Sequence, residues 1–323
     1  MIIYTLPLGN QSTLLTFTIQ CFSENTNIQL PLFILFLLIY LIIILGNTTV
    51  FTTISLSPKL HTPMYMFLGN LSFLDISYIS TTFPKLLHMV YTQQKTISFT
   101  GCITQLYFFL SLACTECLLL TVMAYDRYVA ICHPFHYTVL ISRKHCARLI
   151  TVAWVVGFLD PVAHSILITN LSFCSSHHID HFFCDLIPVL KITCSDTSTI
   201  EIMTYITGVI MCISSFGFTS ISYIFIIHTI CKIQSTQGRQ KAFSTCTSHL
   251  TCVIILYGTM TCSYMRPTKS YNPGLDSFFA LLYVAFVPML NPFIYTLKNK
   301  DFTCHLKKVG IKILQLDVHY YCK

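Results

Sequence analysis

The sequence predicts an all-α membrane protein, a bundle of seven transmembrane helices followed by a short amphipathic helix on the inner leaflet. Two observations lead to this fold class. Of the 323 residues, 54% are hydrophobic and only 10% are charged, whereas soluble domains carry about 25% charged residues. Seven apolar runs, each long enough to cross a bilayer as a helix, are separated by polar breaks.

The seven runs divide the chain into three predicted regions. Residues 1–29 form an N-terminal segment, residues 30–297 form the seven-helix domain, and residues 298–323 form the amphipathic helix and tail. Because the number of spans is odd, the two ends of the chain are expected on opposite sides of the membrane. The predicted spans are Leu30–Ile54, Met64–Met89, Cys102–Ile131, Leu149–Thr169, Ile200–Cys231, Phe243–Tyr264 and Leu275–Leu297.

The basic residues predict how these spans are oriented. Fourteen of the nineteen Lys and Arg residues fall on one side of the predicted spans, and basic residues accumulate on the cytoplasmic side. We therefore expect the N-terminus outside and the C-terminus inside. The first 27 residues contain no Lys or Arg, so the first span, rather than a cleaved signal peptide, is expected to direct insertion. Asn10, in Asn10-Gln11-Ser12, is then a candidate glycosylation site.

An acid–base pair, Asp126-Arg127, closes the third apolar run. An arginine at the end of a span can keep its guanidinium among the lipid headgroups, and the adjacent carboxylate supplies a counter-charge where screening is weak. If the two side chains are held only by each other, a third partner can separate them, which would make the pair a switch. A simple anchor at the membrane boundary is the alternative interpretation.

Two acids lie deep within predicted spans, Asp75 in the second and Glu116 in the third. Intramembrane acids are costly unless they are protonated, hydrogen-bonded or ion-bound, so both are functional candidates. Two neutral acids that merely join helices would satisfy the same pattern. In the seventh span Pro292 removes a backbone hydrogen bond and kinks the helix, and Asn291 can help to satisfy the freed groups.

The loop between the fourth and fifth spans contains most of the cysteines predicted to face outside. Cys174, Cys184 and Cys194 lie in this loop and Cys102 at the outer end of the third span, and four such cysteines allow three pairings. The loop also reads HHIDHFFC over residues 177–184, a spacing that would suit zinc or copper. If Cys184 is used in a disulfide, the histidines form a polar loop face instead, and we expect no metal site.

The residues after the seventh span predict the amphipathic helix. Phe302, Leu306, Val309, Ile313 and Leu316 recur at spacings of four and three, with lysines alongside them. Such a helix lies on the membrane surface, and its lysines are attracted to anionic lipid.

Several short sequences resemble those of the odorant receptors, a branch of the rhodopsin-like G-protein-coupled receptors. They are LHTPMY at 60–65, MAYDRYVAIC at 123–132, KAFSTC at 241–246 followed by SHL at 248–250, and PMLNPFIY at 288–295. They occur in the family's order, and the resemblance extends over nearly the whole chain. It implies two disulfides, Cys102–Cys184 and Cys174–Cys194.

The resemblance also implies a ligand cavity in the outer half of the bundle. Its lining would be apolar and polarizable, which suits small lipophilic odorants. The outer half of the third span holds no carboxylate, so a biogenic-amine ligand is not expected. The implied ligand-binding residues are Phe109, Leu110, Ala113, Cys114, Thr207, Gly208, Met211, Tyr257, Met260, Thr261, Tyr264, Leu281 and Val284.

The resemblance further implies that the protein activates a stimulatory heterotrimeric G protein and thereby raises cyclic AMP. The expected partners are an odorant, this G protein and membrane lipid, with a trafficking chaperone as a further candidate; no nucleic acid and no cofactor are expected. The expected location is the plasma membrane of olfactory cilia. The implied ion or proton site consists of Asp75, Glu116 and Asn291. The implied switch and coupling residues are Asp126, Arg127, Tyr128, Tyr223, Lys241, Asn291, Pro292 and Tyr295.

Three other functions fit part of the pattern. A receptor of the same family that acts outside olfaction would have the same features. A transporter would have repeated halves and broken helices, and the two halves of this sequence do not repeat. An intramembrane enzyme would need a nucleophile with a base or a His-rich metal set, and His164, His228 and His249 have no such partner motif. We therefore expect a receptor and not an enzyme.

Overall fold

The structure, a computed structural model, describes residues 15–20, 26–173, 177–264, 272–293 and 302–306. The predicted fold class is confirmed, because the described residues form seven long helices. They are α1 (Thr26–Leu56), α2 (Pro63–Thr92), α3 (Phe99–Cys132), α4 (Arg143–Thr169), α5 (Ser198–Cys231), α6 (Thr236–Tyr264) and α7 (Pro273–Pro292).

Local sequence explains where several of these helices begin. Pro63 opens α2 and Pro273 opens α7, positions at which the missing backbone N–H would have no helical partner in any case. The hydroxyl of Ser142 accepts a hydrogen bond from the backbone N–H of His145 at the start of α4. Helix α4 therefore begins six residues before Leu149, where the apolar run was predicted to start. A helix can extend beyond the membrane with polar residues, so hydropathy does not mark its first turn.

Five of the helices, α1, α3, α4, α5 and α7, are long and apolar enough to cross a membrane by length and composition. The other two are more polar. Helix α2 contains Asp75 and several hydroxyl side chains, and α6 begins with the polar sequence TQGRQK at 236–241. Hydropathy alone therefore identifies α2 and α6 less clearly than the other five.

Helix α3 lies at the centre of the bundle, and α1 lies at its edge. In the most apolar stretch of each helix, 61% of the α3 residues are buried but only 11% of the α1 residues. Large aliphatic side chains such as Leu38 and Leu45 of α1 and Ile224 of α5 are exposed. A helix that is apolar on all sides is either a core helix or a membrane span, so these exposed faces are expected to contact lipid.

Two glycines allow neighbouring helices to approach closely. A Cβ atom added at Gly46 of α1 would lie 3.2 Å from the Pro292 ring of α7. At Gly157 of α4, an added Cβ would overlap Oγ1 of Thr115 and lie 2.8 Å from the backbone nitrogen of that residue, both on α3. Small residues at such crossings let helix backbones pack against each other.

A small β-sheet covers one end of the bundle. It contains β1 (Thr16–Ile19), β2 (Thr96–Ser98) and β3 (His178–Ile179), in the order β2-β1-β3. Strand β1 pairs antiparallel with β2 and parallel with β3. Strand β1 is therefore tied both to the start of α3 and to the loop that follows α4.

A disulfide and an aromatic cluster hold this sheet on the helices. Cys102 of α3 and Cys184 of the loop are joined, with their Cα atoms 5.4 Å apart. Phe17 of β1 is fully buried, and its ring lies 5.2 Å from that of Phe173 and 6.0 Å from that of Phe99. We call the sheet, the disulfide and the loop residues from 177 to 191 the cap, and the opposite end of the bundle the Arg127 end.

Residues 302–306, near the Arg127 end, are helical, and Phe302 is buried with its ring 6.3 Å from that of Tyr65. This short helix covers the first part of the predicted amphipathic segment. Val309, Ile313 and Leu316 lie outside the described residues.

Candidate functional site

A cavity lies beneath the cap, between α3, α4, α5, α6 and α7. Its wall is mostly apolar or sulfur-containing, with five hydroxyl groups, one carboxyl group and one imidazole. The lining residues are Tyr78, Leu110, Ala113, Cys114, Cys117, Asp160, His164, Leu186, Thr204, Thr207, Gly208, Met211, Cys212, Met260, Tyr264 and Tyr283.

Eight of the thirteen predicted ligand residues line this cavity. The other five point elsewhere. Phe109, Tyr257 and Val284 are buried in helix packing, Thr261 is exposed on the outer surface of α6, and Leu281 lines a second, shallower pocket under the cap. Successive helical residues are rotated by about 100°, so Thr261 faces outward because its neighbour Met260 faces the cavity.

The sequence interpretation missed the other eight lining residues: Tyr78, Cys117, Asp160, His164, Leu186, Thr204, Cys212 and Tyr283. Two of them had a usable signal. Cys117 lies one helical turn beyond Ala113 and Cys114, and Asp160 is an acid within an apolar run, which by itself indicates an interior site. Leu186 belongs to the cap, so periodicity within a span could not have identified it.

Two π-helical turns face the cavity, Val209–Ile213 in α5 and Leu282–Phe286 in α7. A π turn shifts the register of the side chains, and such turns occur often at functional sites. The first turn contains Met211 and Cys212, and the second contains Tyr283, all of which line the cavity. This register shift explains why adjacent residues of α5 both face inward.

Sulfur atoms make up a large part of the cavity wall. Met211, Met260, Cys114, Cys117 and Cys212 all contribute to it, and Sγ of Cys117 lies 3.7 Å from Sδ of Met260. Sulfur is polarizable, and methionine side chains adapt to ligands of different shapes. The wall therefore suits ligands that bind through shape and dispersion.

A hydrogen-bond network closes the cavity from above. The carboxylate of Asp185, in the cap, accepts bonds from the backbone N–H of Leu186 at 2.7 Å and from the hydroxyl of Tyr264 at 2.9 Å. The Tyr264 and Tyr283 hydroxyl oxygens are 3.2 Å apart. The cap is thus connected to α6 and α7 directly over the cavity.

Two buried groups give the cap opposing responses to pH. Burial raises the pKa of Asp185 to about 6 and lowers the pKa of His181 to about 3. The folded state thus holds the Asp185 proton more tightly than the unfolded state. Protonation of Asp185 therefore contributes to the free energy of unfolding in full below about pH 3.8, and this contribution is lost as the pH rises through about 6. His181 must remain neutral when folded, so its contribution is present above about pH 6.5 and is lost progressively as the pH falls toward about 3.

We expect substitutions at these two residues to separate the two responses. On acidification from pH 7 to pH 5, Asp185→Asn should lose more stability than the wild type, and His181→Phe should lose less. For each group, a tenfold difference in proton affinity between the folded and unfolded states contributes at most about 1.4 kcal/mol. Thermal unfolding of the purified protein in detergent at both pH values measures the effect. Variants that both keep the wild-type pH slope would contradict it.

At the Arg127 end, the predicted acid–base pair is formed. Nη2 of Arg127 lies 3.2 Å from Oδ2 of Asp126, which is 1% exposed. The pair has a third member that the sequence interpretation did not include, because the hydroxyl of Tyr137 donates a 2.7 Å hydrogen bond to the other Asp126 oxygen. Asp126 therefore has two partners, Arg127 and Tyr137.

A second network connects α3, α5 and α6 toward the same end. The hydroxyl of Tyr223 in α5 and Nδ1 of His249 in α6 are 2.8 Å apart, and the two rings are stacked. Nε2 of His249 lies 3.1 Å from the backbone oxygen of Leu120 in α3. His249, which the sequence interpretation left without a partner, therefore links all three helices.

The other predicted switch residues are only partly described. The hydroxyl of Tyr128 lies 3.0 Å from Nε2 of His133, and Pro292 is buried at the end of α7. Tyr295 and the side chain of Lys241 lie outside the described part of the chain.

The predicted ion or proton site lies in the middle of the bundle. Nδ2 of Asn291 donates a 2.9 Å hydrogen bond to Oδ2 of Asp75, and Sγ of Cys252 donates one to Oδ1 of Asn291 at 3.2 Å. The carboxyl groups of Asp75 and Glu116 are fully buried and interact electrostatically. Oδ1 of Asp75 and both Glu116 oxygens have no hydrogen-bond partner among the described residues.

The histidines of the cap do not converge. Nε2 of His178 lies 3.7 Å from Oδ1 of Asp180 near the surface, whereas His181 is buried against the Phe182 ring at 4.8 Å. Cys184 is used in the disulfide. Within the described ranges, no three His, Cys, Asp or Glu side chains form a group suited to a metal ion.

The second predicted disulfide and the glycosylation site cannot be described in the same way. Cys194 is disulfide-bonded, while Cys174 and Asn10 lie outside the described residues.

Comparison with known proteins identifies the family. The model of the olfactory receptor family matches residues 36–313 of this chain. Human olfactory receptor 8H3 is 45% identical over 306 residues, covering 95% of this chain and 96% of that protein. Human olfactory receptor 1C1 is 46% identical, covering 86% and 89%, and rat olfactory receptor 1f45 is 44% identical, covering 93% and 96%. The chain therefore belongs to the olfactory receptor family, whose members are seven-transmembrane receptors and not enzymes.

Proposed function

We propose that this multi-pass membrane protein is an odorant receptor that binds small lipophilic molecules in the cavity beneath the cap. Binding activates a stimulatory heterotrimeric G protein and raises cyclic AMP. The observation that carries the proposal is the apolar, sulfur-rich cavity, together with the contacts that connect it to the Arg127 end. The names of the relatives, all olfactory receptors, support the same role.

Contacts along α6 support the coupling between the two ends. Met260 lines the cavity, and one turn away the hydroxyl of Tyr257 donates a 3.2 Å hydrogen bond to the backbone oxygen of Cys117 in α3. Two turns further along α6, His249 bonds to Tyr223 and α3. A ligand that displaces Met260 and Cys117 therefore acts on α6 and α3, the two helices that the hydrogen bond of His249 to Leu120 joins.

The ligand can shift this equilibrium only by its different affinities for the closed and open states. In the proposed open state α6 moves outward, the His249 contacts break and Arg127 leaves Asp126. Arg127 and Tyr223, with Tyr128, Lys241 and Tyr295, then contact the C-terminal helix of the G protein.

The buried acids are proposed to tune the same equilibrium. Protons or a sodium ion held by Asp75, Glu116 and Asn291 would satisfy the carboxylate oxygens that lack hydrogen bonds to described residues in the closed state. Asn291 precedes Pro292, where α7 lacks a backbone hydrogen bond. Binding at this site would therefore bias the position of α7 as well as that of α2 and α3.

The remaining features of the proposal concern topology and location. We place the N-terminus and the cap outside the cell, with Asn10 glycosylated and a second disulfide between Cys174 and Cys194. This orientation is favoured because fourteen of the nineteen Lys and Arg residues fall on the opposite side of the predicted spans, and basic residues accumulate on the cytoplasmic side. The proposed location is the plasma membrane of olfactory cilia. The segment after residue 298 is proposed to bind lipid, and a trafficking chaperone is a further proposed partner.

A panel of chemically diverse odorants tests the function directly. Cells that carry the olfactory stimulatory G protein are transfected with the receptor, and cyclic AMP is measured against mock-transfected cells. For each active compound, Ala113→Phe should raise the half-maximal concentration at least about tenfold, because the added ring fills the cavity. Thr261→Phe is the matched control, since it adds the same ring on the outer surface of α6.

Two results would contradict the proposal. If no compound in the panel raises cyclic AMP above mock-transfected cells while the receptor is stained at the cell surface, the receptor function is wrong. If Thr261→Phe impairs the response and Ala113→Phe does not, the ligand binds elsewhere. Surface staining of both variants separates these effects from loss of expression.

A further inference from the structure

Asp160 is the one carboxylate among the described residues that line the cavity, whose wall is otherwise mostly apolar or sulfur-containing. It lies in the middle of α4, within a run of apolar residues; the residue is partly exposed and lines the cavity. An acid at this depth is costly unless it is paired or reaches an interior space. The outer half of α3 has no carboxylate, but α4 supplies one to the same chamber.

The described contacts of Asp160 leave it largely unsatisfied. Its one hydrogen bond among the described side chains comes from the thiol of Cys114 in α3, with Sγ 3.4 Å from Oδ2, and a thiol is a weak donor. Its Oδ1 atom has no hydrogen bond among the described residues. Neither Lys nor Arg is among the described residues that line the cavity, and the two ion pairs found in the described part of the chain involve other acids.

A second polar group lies beside it. His164, one turn further along α4, also lines the cavity and is 4% exposed. Its Nδ1 atom has no hydrogen-bond partner within the described ranges. The α4 wall of the cavity therefore presents an unused carboxylate oxygen, whereas Leu110 and Met260 offer apolar surface.

We propose that Asp160 selects ligands with a protonated amine on a small apolar body, so that this receptor responds to short lipophilic amines. This inference rests on the proposed function of the cavity. The ammonium group would donate hydrogen bonds to Asp160 and supply the counter-charge that the wall lacks. The alkyl chain would contact the methionine and leucine side chains of the wall.

The test compares probes that differ only in their polar head. Hexylamine, 1-hexanol and hexanal are applied at pH 7.4 to cells that express the receptor and the olfactory stimulatory G protein, and to mock-transfected cells. Hexylamine should have the lowest half-maximal concentration. Asp160→Asn keeps an acceptor for Cys114 but removes the charge, so it should raise the hexylamine value by about tenfold to hundredfold and change the 1-hexanol value much less.

Two further variants complete the design. Asp160→Glu should restore part of the hexylamine response. Asp180→Asn, which removes an exposed carboxylate of the cap outside the cavity, should leave every response unchanged. Receptor at the cell surface is stained in each case.

The outcomes separate this inference from the proposed function. If 1-hexanol or hexanal activates the receptor as well as hexylamine does, or if Asp160→Asn at normal surface levels leaves the hexylamine value unchanged, amine selection is wrong while the odorant-receptor function stands. If Asp160→Asn does not reach the surface, the wild-type comparison of the three probes decides. If no probe and no panel compound activates the receptor, both proposals are wrong.

Discussion

Replacement of Arg127 by alanine is expected to abolish the cyclic AMP response while the receptor still reaches the cell surface. Arg127 is partly exposed and is paired with a buried carboxylate that Tyr137 also holds. Its loss leaves Asp126 with a hydrogen-bond donor, so the fold should persist. The open state, however, loses the guanidinium proposed to contact the G protein. A lost coupling of about 1–3 kcal/mol would weaken binding of the G protein to the open state by a factor of about 5 to 150, and at the upper end of this range no cyclic AMP response is detectable.

The matched control is Arg143→Ala. Arg143 is an exposed arginine at the same end of the bundle, at the start of α4. It should signal normally, since it forms no ion pair with a described acid. Dose–response curves for cyclic AMP, normalised to surface staining, provide the measurement. If Arg127→Ala keeps the wild-type maximum and sensitivity, the proposed switch role of the pair is wrong.

The second large effect is expected from a single methyl group on α4. Gly157→Ala would put its Cβ against Oγ1 of Thr115 and 2.8 Å from the backbone nitrogen of that residue. The hydroxyl of Thr115 already donates to the backbone oxygen of Ser111, and the α3 backbone cannot yield locally. The two helices must separate, which typically costs about 1–3 kcal/mol. We expect a clear drop in surface expression and in melting temperature.

Gly258→Ala is the matched control for this change. An added Cβ at Gly258 of α6 meets no described atom within 4 Å, so the same methyl group should be neutral or slightly stabilising in a helix. Surface staining and thermal unfolding in detergent compare the two variants. Equal stability of Gly157→Ala and the wild type would mean that α3 and α4 do not pack at this distance.

The sequence predicted the architecture well because a bilayer imposes strong rules on composition. Runs of apolar residues indicated all seven helices, and the break before each run indicated their order. Their ends were less predictable, since α4 and α6 continue through polar residues beyond the apolar runs. A capping residue such as Ser142 was the available signal for α4.

The cavity was predicted in part, for a geometric reason. Residues on one face of α3 and α5 were identified correctly as neighbours, as with Ala113 and Cys114. The π turns then moved Cys212 and Tyr283 inward, and no helical period of 3.6 residues predicts such a shift. Asp160 could have been noticed, because an acid within an apolar run usually faces the interior of the bundle or a cavity.

The sheet of the cap was not predicted, because its strands are short and pair residues far apart in the chain. The parallel pairing of β1 with β3 has a consequence for biosynthesis. The ribosome synthesises β1 early, but it synthesises β3 only after α4. One edge of Thr16–Ile19 therefore stays without its partner strand while four helices enter the membrane. A fusion tag that covers this edge of β1 is therefore expected to delay the arrival of the receptor at the cell surface without altering a single ligand contact.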